Sequence, residues 1–117
     1  MNRKVRLFIG IEGHKSGSSP VTGALKQVMG LLTNCEVVEK LIDGDVEADV
    51  AIVDSSREAM RLQKETEATV IVILCMRPDE FGPAKAFAER SGGRVHAMQI
   101  INVVVELITL IGEVSVK

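Results

Sequence analysis

Hydrophobic and polar positions follow two rhythms along this chain, and the changes of rhythm mark its elements. Five runs rich in β-branched and other aliphatic residues carry the strand signal. They are Val5–Ile11 (VRLFIGI), Cys35–Ile42 (CEVVEKLI), Asp49–Asp54 (DVAIVD), Thr69–Met76 (TVIVILCM) and Arg94–Ile100 (RVHAMQI). The fourth is apolar almost throughout. That predicts a central strand covered on both faces, as in a parallel sheet.

Between these runs the apolar period lengthens to that of a helix. Ser19-Pro20 is a helix start, with Ser as N-cap and Pro at the first helical position. Val21, Leu25, Val28 and Leu32 then recur on one face. A second helix opens on the capping-box pair Ser55 and Glu58 and runs to about Glu67. A third is expected from Gly82-Pro83, with Ala84, Phe87 and Ala88 inward and Gly92-Gly93 as its stop. The last has Asn102 as N-cap. Val104, Leu107, Ile108 and Ile111 are expected to face the core, with Glu106, Thr109 and Glu113 opposite. Val103, Val105 and Leu110 widen that face beyond a normal stripe.

The order is strand, helix, strand, strand, helix, strand, helix, strand, helix. Alternation of this kind predicts an α/β three-layer sandwich around a five-stranded, mostly parallel sheet with about four helices, either flavodoxin-like or truncated P-loop-like. No linker, repeat or low-complexity stretch interrupts it, so residues 1–117 read as one domain of ordinary size. One connection is anomalous. Only Asp43–Ala48 (DGDVEA) separates the second and third strands, whereas a parallel crossover needs roughly a dozen residues. Asp-Gly is also a hairpin signal. Strands two and three therefore either pair antiparallel or are joined by a stunted loop.

Composition narrows the function by exclusion. The chain has sixteen Val, ten Ile and nine Leu but only three aromatic residues, Phe8, Phe81 and Phe87. Its net charge is −2, with acids and bases interspersed. There is no basic footprint for nucleic acid and no aromatic platform on which bases would stack. No apolar run reaches the roughly 18 residues that span a bilayer, and the apolar block near the N-terminus is too short for a signal peptide. A cytoplasmic protein without nucleic-acid or membrane partners is the expectation. Cys35, Cys75, His14 and His96 have no metal-ligand spacing, so no metal site is expected. Cys75 reads as a buried small hydrophobe and His96 as a packed or edge residue.

Chemistry in such a sheet gathers beyond the carboxyl ends of the strands. The first such segment, Gly10–Gly23 (GIEGHKSGSSPVTG), is rich in glycine and serine and leads into a helix N-terminus. Gly13, His14, Lys15, Ser16, Gly17, Ser18 and Ser19 can form an oxyanion cradle of backbone amides, hydroxyls and one cation. The plainer alternative is a loop with Ser19 as a helix cap. Asp54 ends the third strand and is followed by Ser55 and Ser56. The third segment, Met76–Pro83 (MRPDEFGP), offers Arg77, Asp79 and Glu80, either to a ligand or as turn chemistry.

On these residues the chain resembles two families. GHKSGSS between first strand and first helix is similar to a degenerate P-loop, and the layout to Asp54 is similar to small GTPases. That resemblance implies Gly13 and Gly17 as loop glycines, Ser19 as the metal-facing hydroxyl and Asp54 as the acid on the magnesium side. The loop reads Gly13-x-x-x-Gly17-Ser18-Ser19, one residue short and with Ser18 where the phosphate lysine would stand. Asp54 also resembles the phosphoacceptor of a two-component receiver domain. In that comparison strand four ends at Leu74-Cys75 without a hydroxyl, and strand five at Gln99-Ile100 without a lysine.

Every alignable catalytic motif is thus broken. The expected function is a non-catalytic regulatory or adaptor domain on a degenerate nucleotide-binding or receiver-like core, acting through a protein partner or self-association. Val103, Val105 and Leu110 of the overly apolar last helix are the candidate contact residues. The alternative is a phosphate or nucleotide binder, or an NTPase, using Gly13–Ser19 with Asp54. No cofactor can be named from the sequence.

Overall fold

The computed structural model describes residues 3–11 and 19–116. Along the chain lie β1 (Val5–Ile9), α1 (Ser19–Gly30), β2 (Cys35–Val38), β3 (Ile42–Asp43), β4 (Val46–Glu47), β5 (Val50–Val53), α2 (Ser56–Glu65), β6 (Val70–Cys75), α3 (Pro78–Arg90), β7 (Val95–Gln99) and α4 (Val103–Ser115). A 3₁₀ turn, Ile100–Asn102, leads into α4. The five long strands form one sheet in the order β2-β1-β5-β6-β7, with every neighbouring pair parallel. Counting those five strands in chain order, this is 2-1-3-4-5, the flavodoxin-like order of doubly wound sheets. The α/β sandwich read from the sequence is the fold observed.

Two cores sandwich the sheet. On one face Val5, Leu7, Val50, Ile52, Val72 and Leu74 meet Leu25 and Met29 of α1 and Leu107 and Ile111 of α4. On the other, Ala51, Val53, Ile71 and Ile73 meet Ala59 and Leu62 of α2 and Ala84 and Ala88 of α3. The two strands covered on both faces are the two with uninterrupted apolar sequence. All of β5 is buried, and so is β6 apart from Val70. In β1 burial alternates instead. Arg6 and Phe8 stand on the α2/α3 side, where they align with Glu36 and Val38 of β2. No helix crosses that corner of the sheet, so Arg6 and Glu36 can stand there in reach of water, while Phe8 packs at the margin of the second core.

The connection from β2 to β5 explains the gap. Strand β2 ends at Val38, so residues 39–49 are free to cross over β1, and the two flanking strands lie on opposite sides of it. They are not paired with each other. The Asp-Gly signal is realised inside the connection, where β3 and β4 form a separate antiparallel hairpin. Gly44 sits at its tip with φ +65, a conformation that favours glycine. Leu41 anchors the hairpin to the second core.

The hairpin is also tied down by one carboxylate. Glu47 accepts hydrogen bonds from the backbone N–H of Glu67 (2.8 Å) and Ala68 (3.1 Å) and from the Thr69 hydroxyl (3.3 Å). These donors, the Ala68 amide first, hold its pKa below the ordinary value of 4.5. A depressed carboxylate pKa contributes stability that is present above the unfolded value and lost as pH falls through the folded one. Glu47→Gln is therefore expected to be less stable than the parent at neutral pH. The difference should vanish in acid once the parent carboxyl is protonated. Urea midpoints for both proteins across pH check this; a gap that persists in acid contradicts it.

Two helices differ from expectation. Helix α3 starts at Pro78, not near Gly82-Pro83, so Pro83 lies inside it. Pro78 takes the first helical position, and the Glu80 carboxylate accepts the N–H of Met76 (2.9 Å) and Arg77 (3.2 Å). That start outweighs the one helix bond that Pro83 removes. In α4 the inward face is Val103, Leu107, Leu110, Ile111 and Val114, while Val104, Val105 and Ile108 are exposed. The helix carries two aliphatic stripes. The one that reaches Val114 runs the full length of the helix and takes the sheet, because it removes more apolar surface from water.

Candidate functional site

The carboxyl ends of β5 and β6 open into a cleft of about 340 Å³. Asp54, Ser55 and Ser56 line it from β5 into α2, and Cys75, Asp79 and Glu80 from β6 into α3. The structure thus brings Asp54 together with the acids of the Met76–Pro83 segment. Gly13, His14, Lys15, Ser16, Gly17 and Ser18 lie outside the described residues. Ser19 opens α1.

Most polar atoms of the cleft are engaged locally. The Ser55 hydroxyl accepts the Glu58 N–H (3.1 Å) and caps α2, as the capping-box spacing predicts. Glu80 closes the first turn of α3. The Asp79 carboxylate accepts two hydrogen bonds from Arg77, at 3.1 and 2.7 Å. The Arg77 guanidinium holds the Asp79 carboxyl below its usual range. This is turn chemistry, the plainer of the two readings of that segment.

Cys75 and Cys35 are free and buried. Burial pushes both thiols up, helped by Glu80 at Cys75 and Glu36 at Cys35. Neither is poised as a thiolate nucleophile. His96, the one histidine among the described residues, is on the edge strand β7 and lines a different cleft with Lys85, Glu89 and Glu106. It has no access to Asp54 or Cys75 as an acid–base partner in one site. Among the described residues no group of three or more His, Cys, Asp or Glu side chains is placed to hold a metal ion. No helix among them is long and apolar enough to cross a membrane.

The candidate contact residues of α4 separate. Val103 and Leu110 are buried in the first core, and Val105 is 70% exposed. Its exposed companions are Ile101 (82%), Ile108 (43%) and Val104 (37%). At 3.6 residues per turn, Val104, Val105 and Ile108 share one half of the outward arc of α4, and Ile101 precedes them in the 3₁₀ turn. Glu106, Thr109 and Glu113 share the other. The apolar half adjoins a groove of about 300 Å³ between α1 and α4, walled by Pro20, Val21, Ala24, Val28 and Ile100. Sequence reasoning missed this groove because it assigned Val104 and Ile108 to the core. The signal was the second aliphatic stripe of α4 facing the Pro20/Ala24/Val28 stripe of α1.

No protein-family model matches this chain, and no curated protein or solved structure matches it either.

Proposed function

We propose that this domain is a non-catalytic regulatory or adaptor module that acts through protein contacts. The observation that carries the reading is the aliphatic face of α4, with Ile101 and Val105 largely exposed beside an apolar groove. An apolar patch of this kind on a folded domain marks an interaction site. The chemistry of the strand ends supports the same reading, since Ser55 caps a helix and Asp79 and Glu80 close a turn there. Of the two resemblances we favour the receiver-like one, which goes with a parallel second strand. The rival phosphate-binding reading rests on Gly13–Ser19 with Asp54.

Two measurements test the proposal. A photo-crosslinking residue at position 105 should give covalent protein adducts in the cells that make this protein. The same residue at Lys64, exposed on α2, should not. Absence of adducts from position 105 removes the reading. Separately, titration with magnesium nucleotides or inorganic phosphate should leave the amide signals of Gly13–Ser19 unmoved. Saturable shifts there would favour the rival.

A further inference from the structure

We propose that the apolar half of α4 is a self-association face, and that its occupant is the same face of a second copy of this chain. The inference rests on the reading that this face makes protein contacts, and it names the partner.

Three properties select a second copy. The first is charge. The seam itself, Ile101, Val104, Val105 and Ile108, is uncharged. Two copies can meet there without opposing like charges, as an isologous interface requires. Helix α4 carries Glu106 and Glu113 and no lysine or arginine. An anionic membrane surface, which attracts amphipathic helices through basic residues, is disfavoured for that reason.

The second property is spacing. Within α4, Val105, Ile108 and Gly112 fall at intervals of three and four residues. That is the a/d rhythm by which one helix packs along another. A Cβ at Gly112 would meet nothing within 4 Å, so the helix backbone is open to close approach at the end of the seam. Ile101, the most exposed side chain of the patch, follows Ile100, which walls the α1/α4 groove together with Val104. A projecting side chain and a recess on one patch are the elements of a self-complementary face.

The third is area. Ile100, Ile101, Val104, Val105 and Ile108 together leave on the order of 500 Å² of apolar surface open, at the high end for a monomer. Two copies would bury about 1,000 Å², the lower bound for a specific interface. The expected dimer is therefore reversible and dissociates on dilution.

Sedimentation of the purified full chain tests this. The 12.7 kDa chain should sediment at twice its mass at high concentration and dissociate on dilution. Val105→Glu combined with Ile108→Glu should weaken association by roughly 100-fold or more, because each dimer would bury unpaired charge. Both positions are exposed, so the circular dichroism of the dilute protein should not change and it should stay folded at the temperature of the experiment. Met60→Glu, at an exposed apolar position on α2 across the sheet, should leave association intact.

A parent protein that remains monomeric to about 1 mM overturns the inference. So does a dimer that the double substitution does not weaken. The crosslink at position 105 separates the two proposals. An adduct of twice the chain mass supports the dimer. An adduct only with a different protein overturns the dimer and leaves the adaptor reading in place. No adduct of either kind removes both.

Discussion

Leu107→Ala is expected to cost about 2–5 kcal/mol of stability, whereas Ile108→Ala, one residue along, is expected to cost less than about 1 kcal/mol in dilute solution. Leu107 is fully buried in the core between α4, α1 and the sheet. Truncating it removes buried apolar area and leaves a cavity that the parallel strands beneath cannot fill. For a domain of this size the loss lowers the melting temperature by roughly 10 °C or more. Ile108 keeps much of its surface in water in the folded state, so its truncation forfeits little burial. Paired urea denaturations of the two variants measure the contrast. Equal losses would mean that α4 is rotated from the face described here, and the exposed seam would lose its basis.

The second large effect is expected at Arg94. Its guanidinium donates to the carbonyls of Thr69 (2.9 Å), Gln63 (3.2 Å) and Thr66 (2.8 Å), and also to the Thr66 hydroxyl. One side chain at the start of β7 thus closes the end of α2 and the entry to β6. These carbonyls have left the helix and strand ladders, so without Arg94 they compete for water in a partly buried site. Arg94→Ala is expected to cost about 2–4 kcal/mol. Arg94→Lys should recover only a small part, because an ammonium group cannot span acceptors that a planar fork reaches together. Thermal melts of the parent and both variants decide it. Full rescue by lysine would show that charge matters here and geometry does not.

Much of this architecture was legible before any coordinates. The uninterrupted run Val70–Cys75 stated that its strand is covered on both faces, and β6 is. Ser55 with Glu58 announced the start of α2. Asp43-Gly44 announced a hairpin, though the hairpin belongs to the connection and not to the long strands. In β1 the alternation of Val5, Arg6 and Leu7 carried a message that is plain only beside the sheet. The half-exposed side of β1, with Arg6 and Phe8, lies where a crossover helix is missing, and residues 39–49 are too few and too turn-rich to supply one.

The candidate site was less legible. Asp54, Asp79 and Glu80 were each visible as acids at strand ends. That they share one cleft follows from β5 and β6 being neighbours, which spacing along the chain does not state. Arg94 gave no signal at all, because its partners are 25 to 31 residues away and, the Thr66 hydroxyl apart, are backbone carbonyls. Every residue carries that group, so sequence cannot single out the ones left unpaired.

By itself, then, the sequence determined the class of fold and the central position of the Thr69–Met76 strand. Those depend on composition and local period, which the chain carries explicitly. Only the tertiary structure decided which of two aliphatic stripes on α4 meets the sheet. Both have helical spacing and both are apolar enough to be buried. The choice depends on the path of the 3₁₀ turn from β7 and on the total area each stripe can cover, and these exist only once the sheet is assembled. The stripe left over, Ile101, Val105 and Ile108, is the feature on which the function proposed here depends.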